Sequence, residues 1–142
     1  MITIKQFTIE DSDYYNRSLD IRNEVFIVEQ GVSPELEIDE YESDAIYYLL
    51  FEGDEPVATA RYRNTPEGVK LERFAVLPEY RHNGYASEML RHILLDLKEE
   101  QQPIYLHSQE QVIGFYELFG FEKEGPRFFE ADIPHFKMIL QH

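Results

Sequence analysis

Apolar positions along this chain change their period several times. Ile2 and Ile4 alternate with polar neighbours and, together with Gln6, predict a first, edge-like strand over residues 1–8. Asp11-Ser12-Asp13 supplies helix-capping chemistry, and Tyr15, Leu19, Arg22, Val25 and Phe26 then recur at helical spacing. That helix is expected to reach Gln30, with Gly31 as its stop. Arg22, on or beside its apolar face, either snorkels outward or pairs with a carboxylate. After an acidic, loop-like stretch over 34–44, Ala45 to Phe51 is a continuous apolar run of strand length. Gly53-Asp54 turns it into an alternating partner over 56–63, and Thr65-Pro66-Glu67-Gly68 turns again into a strand over 69–76. Three strands so joined form an antiparallel meander.

The chain is organised around the passage from that third strand into a helix. Past Pro78, Glu79-Tyr80-Arg81-His82-Asn83-Gly84 reads as a loop, and Ala86, Met89, Leu90, Ile93, Leu94 and Leu97 as the buried stripe of a helix. A helix start offers unsatisfied N–H groups and the positive end of a dipole. The small residue at Gly84 lets an anion approach the backbone, and Arg81 adds a positive charge, which together describe a pyrophosphate cradle. An ordinary strand–turn–helix with a glycine at its bend fits the same six residues. Further on, 104–108 is a short strand, and a strand–helix–strand unit of this length implies a parallel crossover. Val112, Phe115, Tyr116 and Phe119 mark a second short helix closed by Gly120, and 136–140 is strand-like. The fold class is therefore α/β (α+β), and with no repeat or linker the 142 residues are expected to form a single domain.

Composition narrows the chemistry. With 43% hydrophobic and 14% aromatic residues the chain can bury a real core. It has no cysteine, which excludes disulfides, thiolate metal sites and cysteine nucleophiles. The first residues show no charged start followed by an apolar stretch, and no apolar run approaches membrane-spanning length, so a cytoplasmic protein without membrane contact is expected. A net charge of -15 speaks against a nucleic-acid partner. It suits a cationic substrate, such as an amine, drawn to an acidic mouth, and serves solubility equally well. His107 and His135 lack metal-ligand spacing, so no metal is expected. No Gly-Lys-Ser/Thr follows the glycine, which removes a nucleotide-phosphate enzyme.

Arg81-x-x-Gly84-x-Ala86 resembles the acyl-CoA loop of the GNAT superfamily of N-acetyltransferases, and Phe115-Tyr116-x-x-x-Gly120-Phe121 resembles the segment that follows their CoA-binding helix. More narrowly, the stretches 25–30, 37–39, 73–76, 106–109 and 133–135, with Arg61, are similar to a small bacterial group typified by ElaA and YjcF. The chain departs from that group at His82, where glycine is usual, at His107-Ser108 for Asn-Ala, and at Tyr47 for a histidine. The resemblance implies a mixed, mostly antiparallel sheet flanked by helices, with splayed parallel strands forming an acyl-CoA cleft. It implies an N-acetyltransferase using acetyl-CoA and a small-molecule or peptide amine acceptor by direct transfer in a ternary complex. A non-catalytic acyl-CoA sensor on the same scaffold is the alternative, and a homodimer is an allowed assembly.

Carried over residue by residue, Phe74, Ala75, Val76, Arg81, His82, Asn83, Gly84, Tyr85, Ala86, Gln109, Phe115 and Tyr116 are expected to hold acetyl-CoA. The Phe74 N–H is expected to serve the thioester oxygen and Tyr116 to act as general acid, although Tyr116 on pattern alone reads as a core aromatic. Strand alternation puts Glu72 on one face with Phe74 and Val76, which makes it a candidate base; a carboxylate paired with Arg61 or Arg73 is the other reading. Arg22, Glu29, Gln30, Glu37, Asp39 and His135 are expected on the acceptor side, with Glu29, Glu37 and His135 as rival bases.

Overall fold

The continuous apolar run after the acidic loop becomes a strand buried on both faces. In the computed structural model, which describes residues 1–141, the chain runs β1 (Ile2–Phe7), α1 (Ser12–Arg22), a π-helical stretch (Asn23–Glu29), α2 (Pro34–Glu37), β2 (Ile46–Glu52), β3 (Glu55–Thr65) and β4 (Gly68–Val76). It continues through α3 (Tyr85–Asp96), β5 (Ile104–Gln109), α4 (Ile113–Glu117), β6 (Phe121–Glu130) and β7 (Ile133–Leu140). Successive residues of β2 enter two cores. Tyr48 and Leu50 pack with Met89, Leu90 and Ile93 of α3, while Tyr47, Leu49 and Phe51 pack with Ile21 and Val25 from the opposite side. Both faces of the strand exclude water, so its sequence shows no alternation.

One sheet holds all seven strands in the order β1-β2-β3-β4-β5-β7-β6. The expected meander is present as antiparallel β2–β3–β4, and α3 carries the chain across to β5, parallel to β4. The sheet is mixed and mostly antiparallel, flanked by helices on both faces, as the GNAT resemblance implies. The α-helix expected to reach Gln30 instead ends at Arg22, and wide turns such as Gln30 N–H to Val25 O (3.1 Å) and Val32 N–H to Phe26 O (2.8 Å) carry it to Gly31. A strand unforeseen in the tail, β6, pairs with β7 through an irregular register between Glu124 and Phe128.

Candidate active site

β4 and β5 stay together for only three residue pairs, Val69–Ile104, Lys70–Tyr105 and Leu71–Leu106. Beyond Leu71, β4 follows β3 as far as Val76, while β5 follows β7 until Gln109 faces His135. The two parallel strands therefore part, and a cavity of about 850 Å³ opens between them.

Within that gap β4 carries a bulge. Thr59 pairs with Ala75 and Arg61 with Glu72, so the register omits Arg73 and Phe74, and Arg73 takes a φ of 57°. An inserted residue reverses which side chains face which side. Phe74 and Val76 now pack on the α3 side with Val69 and Leu71, and Ala75 joins the α1 side. Glu72 does not share their face, contrary to the alternation expected from sequence.

The carboxylate of Glu72 is instead the meeting point of Arg61 (2.9 Å), Arg63 (2.9 Å) and Lys70 (3.1 Å). Burial pushes its pKa up, but the Arg61 charge, the Arg63 hydrogen bond and Lys70 outweigh that and hold it at about 2. Glu72 lines the cavity, but a carboxylate ringed by three cations is a poor proton acceptor near neutral pH, so the structure favours the paired reading of Glu72 over the candidate base. Arg22 and Asp39 also leave the acceptor side. Buried Arg22 binds Glu37 (2.5 Å) and Glu42 (2.9 Å), Asp39 binds Arg61 (2.7 Å) and Arg73 (3.1 Å), and neither lines the cavity. Glu37 touches the cavity but is 3% exposed and tied to Arg22. Tyr47 donates to Glu42 beneath this cluster at 2.8 Å, so its departure from the group's histidine is structural.

At the far end of the cleft, the loop from Arg81 reaches α3. Gly84 precedes the helix at φ 79°, no side chain caps its N-terminus, and a Cβ at Gly84 would meet no atom within 4 Å. The first N–H groups of α3 therefore stay available to an anion. His82 sits at φ 67°, a conformation that favours glycine and gives the group's usual residue there a physical reason. The Asn83 side chain turns back to the Tyr80 carbonyl at 3.0 Å, bracing the loop. Arg81 lines the cavity and is also held within the chain. Its Nε donates to the Val76 carbonyl (3.0 Å), and its terminal nitrogens grip Glu29 at 2.6 Å each, so it straps the loop to β4 and to the π-helical stretch. That same contact holds Glu29 below the usual carboxylate range.

Tyr116 stands in the cavity wall, its ring edge-on to Phe74 (6.1 Å), Phe115 (5.1 Å) and Phe121 (6.0 Å). Burial raises its pKa, so the phenol keeps its proton at neutral pH. It is a core aromatic and a cleft residue at once. Gln109 joins Gln30 at 2.9 Å across the opening. His135 lines the cavity with His107 and Glu130, a carboxylate that the sequence reading missed. Its only local signal is Asp132 after Ala131, which together form the turn that presents it. Among the described residues no group of three His, Cys, Asp or Glu side chains is arranged to hold a metal ion, and no helix is long and apolar enough to cross a membrane.

Comparison with known proteins places this geometry. The family described as "Acetyltransferase (GNAT) domain" matches residues 10–142. The chain is 33% identical over 124 residues to the N-acetyltransferase YjcF of Bacillus subtilis, covering 84% of this chain and 86% of that one. The structure of Escherichia coli ElaA superimposes with a TM-score of 0.87 at 27% identity, over 99% of this chain and all (100%) of that chain. Arabidopsis thaliana Naa50, solved with the bisubstrate analogue CoA-Ac-MVNAL, superimposes with a TM-score of 0.73 at 25% identity, over 98% and 99% of the two chains.

Proposed function

Because the chain belongs to the GNAT acetyltransferases, we propose that this acyltransferase moves an acetyl group from acetyl-CoA to a primary amine within one ternary complex. One observation carries the reading: the parting of β4 and β5 opens a cleft that ends on an uncapped helix start and has a protonated tyrosine in its wall. The α3 N-terminus and the 81–86 loop suit a pyrophosphate, since the N–H groups are free and Gly84 leaves open space before them. The unpaired flank of β4 beyond Leu71 suits an extended chain carrying amide groups, which can hydrogen-bond along it as a further strand would. The Arabidopsis neighbour's bisubstrate analogue joins CoA to a peptide, which supports both the donor and an amine acceptor.

Acetyl-CoA supplies an acyl carbon activated by a thioester. The protein's part is threefold. It receives the amine in neutral form, steadies the carbonyl oxygen as negative charge gathers on it, and returns a proton to the leaving sulfur. The Phe74 N–H, on the bulge inside the gap, serves the oxygen. Tyr116 gives its phenolic proton to the sulfur as the carbon–sulfur bond breaks. With no cysteine in the chain, the amine attacks directly. The acidic chain, at -15, favours a cationic acceptor, a small-molecule or peptide amine, in the cytoplasm. A CoA-release assay with acetyl-CoA against polyamines, amino sugars, amino acids and peptide amines tests this. Release that depends on one class of amine is expected; tight acetyl-CoA binding without release in any mixture makes the protein a sensor instead.

A further inference from the structure

A two-residue turn brings Glu130 into the cleft. β6 and β7 close with Glu130 opposite Ile133, leaving Ala131 and Asp132 between them at φ 50° and 62°. Two positive φ values in succession match the twist of a tight hairpin, yet the alanine Cβ makes this conformation unfavourable. The turn sets the Glu130 carboxylate between two imidazoles, His107 Nδ1 at 3.2 Å and His135 Nε2 at 3.7 Å. His107 follows Leu106, the last residue of β5 paired with β4, so the cluster lies where the strands part.

The proton positions on His135 follow from its neighbours. Its Nδ1 lies 2.7 Å from the Ile133 carbonyl, which can only accept, so Nδ1 carries the hydrogen. In the neutral ring Nε2 is then bare. It is too far from Glu130 for a hydrogen bond, which leaves its lone pair unengaged beside the cavity. The ring is 8% exposed and stacked on Phe128 at 5.9 Å, so its direction is set. The charged and titratable groups that face it or its partner are Glu130 from β6, His107 from β5, and Lys70 from β4, with Lys70 itself held by Glu72.

We propose that His135 is the general base of the acetyl transfer and that Glu130, positioned by His107, seats the acceptor's ammonium beside it. This rests on the reading of the cleft as an amine acetylation site. One ammonium proton passes to Nε2, and the freed lone pair forms the carbon–nitrogen bond. As the carbon–sulfur bond breaks, its electron pair stays on sulfur, which takes the Tyr116 proton. The second proton shed by the nitrogen restores Tyr116, and the imidazolium returns its proton to water.

One spectroscopic measurement and two variants test the proposal. Long-range proton–nitrogen NMR on the unliganded wild type is expected to show His135 protonated at Nδ1 and bare at Nε2 when neutral; an Nε2–H ring overturns it without any substrate. His135→Asn keeps a donor toward Ile133 and removes the base. Its kcat/KM for the amine found in the release assay is expected to fall about 10²-fold near neutral pH and to lose the rise with pH, with acetyl-CoA affinity unchanged. Glu130→Gln is expected to raise KM for the amine about 10-fold, with KM for acetyl-CoA unchanged, and gives a second route should His135→Asn fold poorly. A variant at His135 that keeps the rising limb overturns the base alone. An unchanged amine KM in Glu130→Gln overturns the seat, and absence of transfer by the wild type to any amine overturns the underlying reading and the base with it.

Discussion

Two sets of polar groups, one buried beneath β4 and one along the cleft, differ in what their hydrogen bonds join. Beneath β4, Arg22, Arg61, Glu37, Glu42 and Glu72 are withdrawn from water, and each carboxylate meets at least one guanidinium of the set. Along the cleft, the N–H groups at the start of α3 have no side-chain cap and His135 Nε2 has no partner within hydrogen-bond distance. The Tyr116 pKa is moved by burial alone. The first set binds the 37–42 segment to the sheet through ion pairs, whereas the second leaves donors and acceptors for something else to meet. On the proposed reading, the dense ion pairs hold the scaffold and the groups left without partners along the cleft carry the chemistry.

Removing one member of the first set should be the most damaging change. Arg61→Ala leaves Glu42 and Glu72, with Asp39, facing a buried gap, and is expected to destabilise the fold by about 3–5 kcal/mol, read from denaturant unfolding. A loss under 1 kcal/mol would mean that the cluster is solvated and that the contrast with the cleft is false. Acid should reach the same cluster. Glu72 has a native pKa of about 2 against an ordinary 4.5, so its stabilisation is complete above pH 4.5 and fades as pH falls toward 2. The loss attributable to this group is about 3 kcal/mol, and Glu42, which shares Arg61 with it, titrates below its ordinary range in the same direction. A melting temperature flat from pH 5 to about pH 2 would contradict it. A smaller effect is expected at the helix start. Gly84→Val places a β-branched residue at φ 79° and fills the open space before α3, costing about 1–2 kcal/mol of stability. It should also abolish most acetyl-CoA binding in calorimetry, whereas loss of stability with full affinity would remove the loop from the donor site.

Local pattern made much of this legible. The β4–loop–α3–β5 unit, the meander and the short helix bearing Tyr116 all write their signals within a few residues of one another. β6 did not, because Glu122-Lys123-Glu124-Gly125-Pro126-Arg127 is the polar, glycine- and proline-broken composition of an edge strand. The wide turns over 23–29 bear apolar residues at spacings that an ordinary helix would also satisfy, so their identity depends on tertiary contacts. Alternation places Glu72 on its strand but not on its face, since one bulge at Arg73 reverses every later side chain and no residue type announces it. Glu130 escaped because its position depends on β7 folding back across a turn whose first residue, Ala131, is not a turn-forming type.

The contrast between the two sets reduces to one paired measurement. Tyr116→Phe and Glu72→Gln are compared for turnover with acetyl-CoA and an accepted amine, for the pH dependence of kcat/KM, and for thermal stability. Tyr116→Phe is expected to lose turnover about 10²-fold while keeping acetyl-CoA affinity and melting temperature. Glu72→Gln is expected to lose about 2 kcal/mol of stability and to keep the wild-type pH dependence. The reverse result, in which Tyr116→Phe turns over normally and Glu72→Gln flattens the rise with pH at full stability, would place the chemistry in the ion-paired cluster and contradict the account.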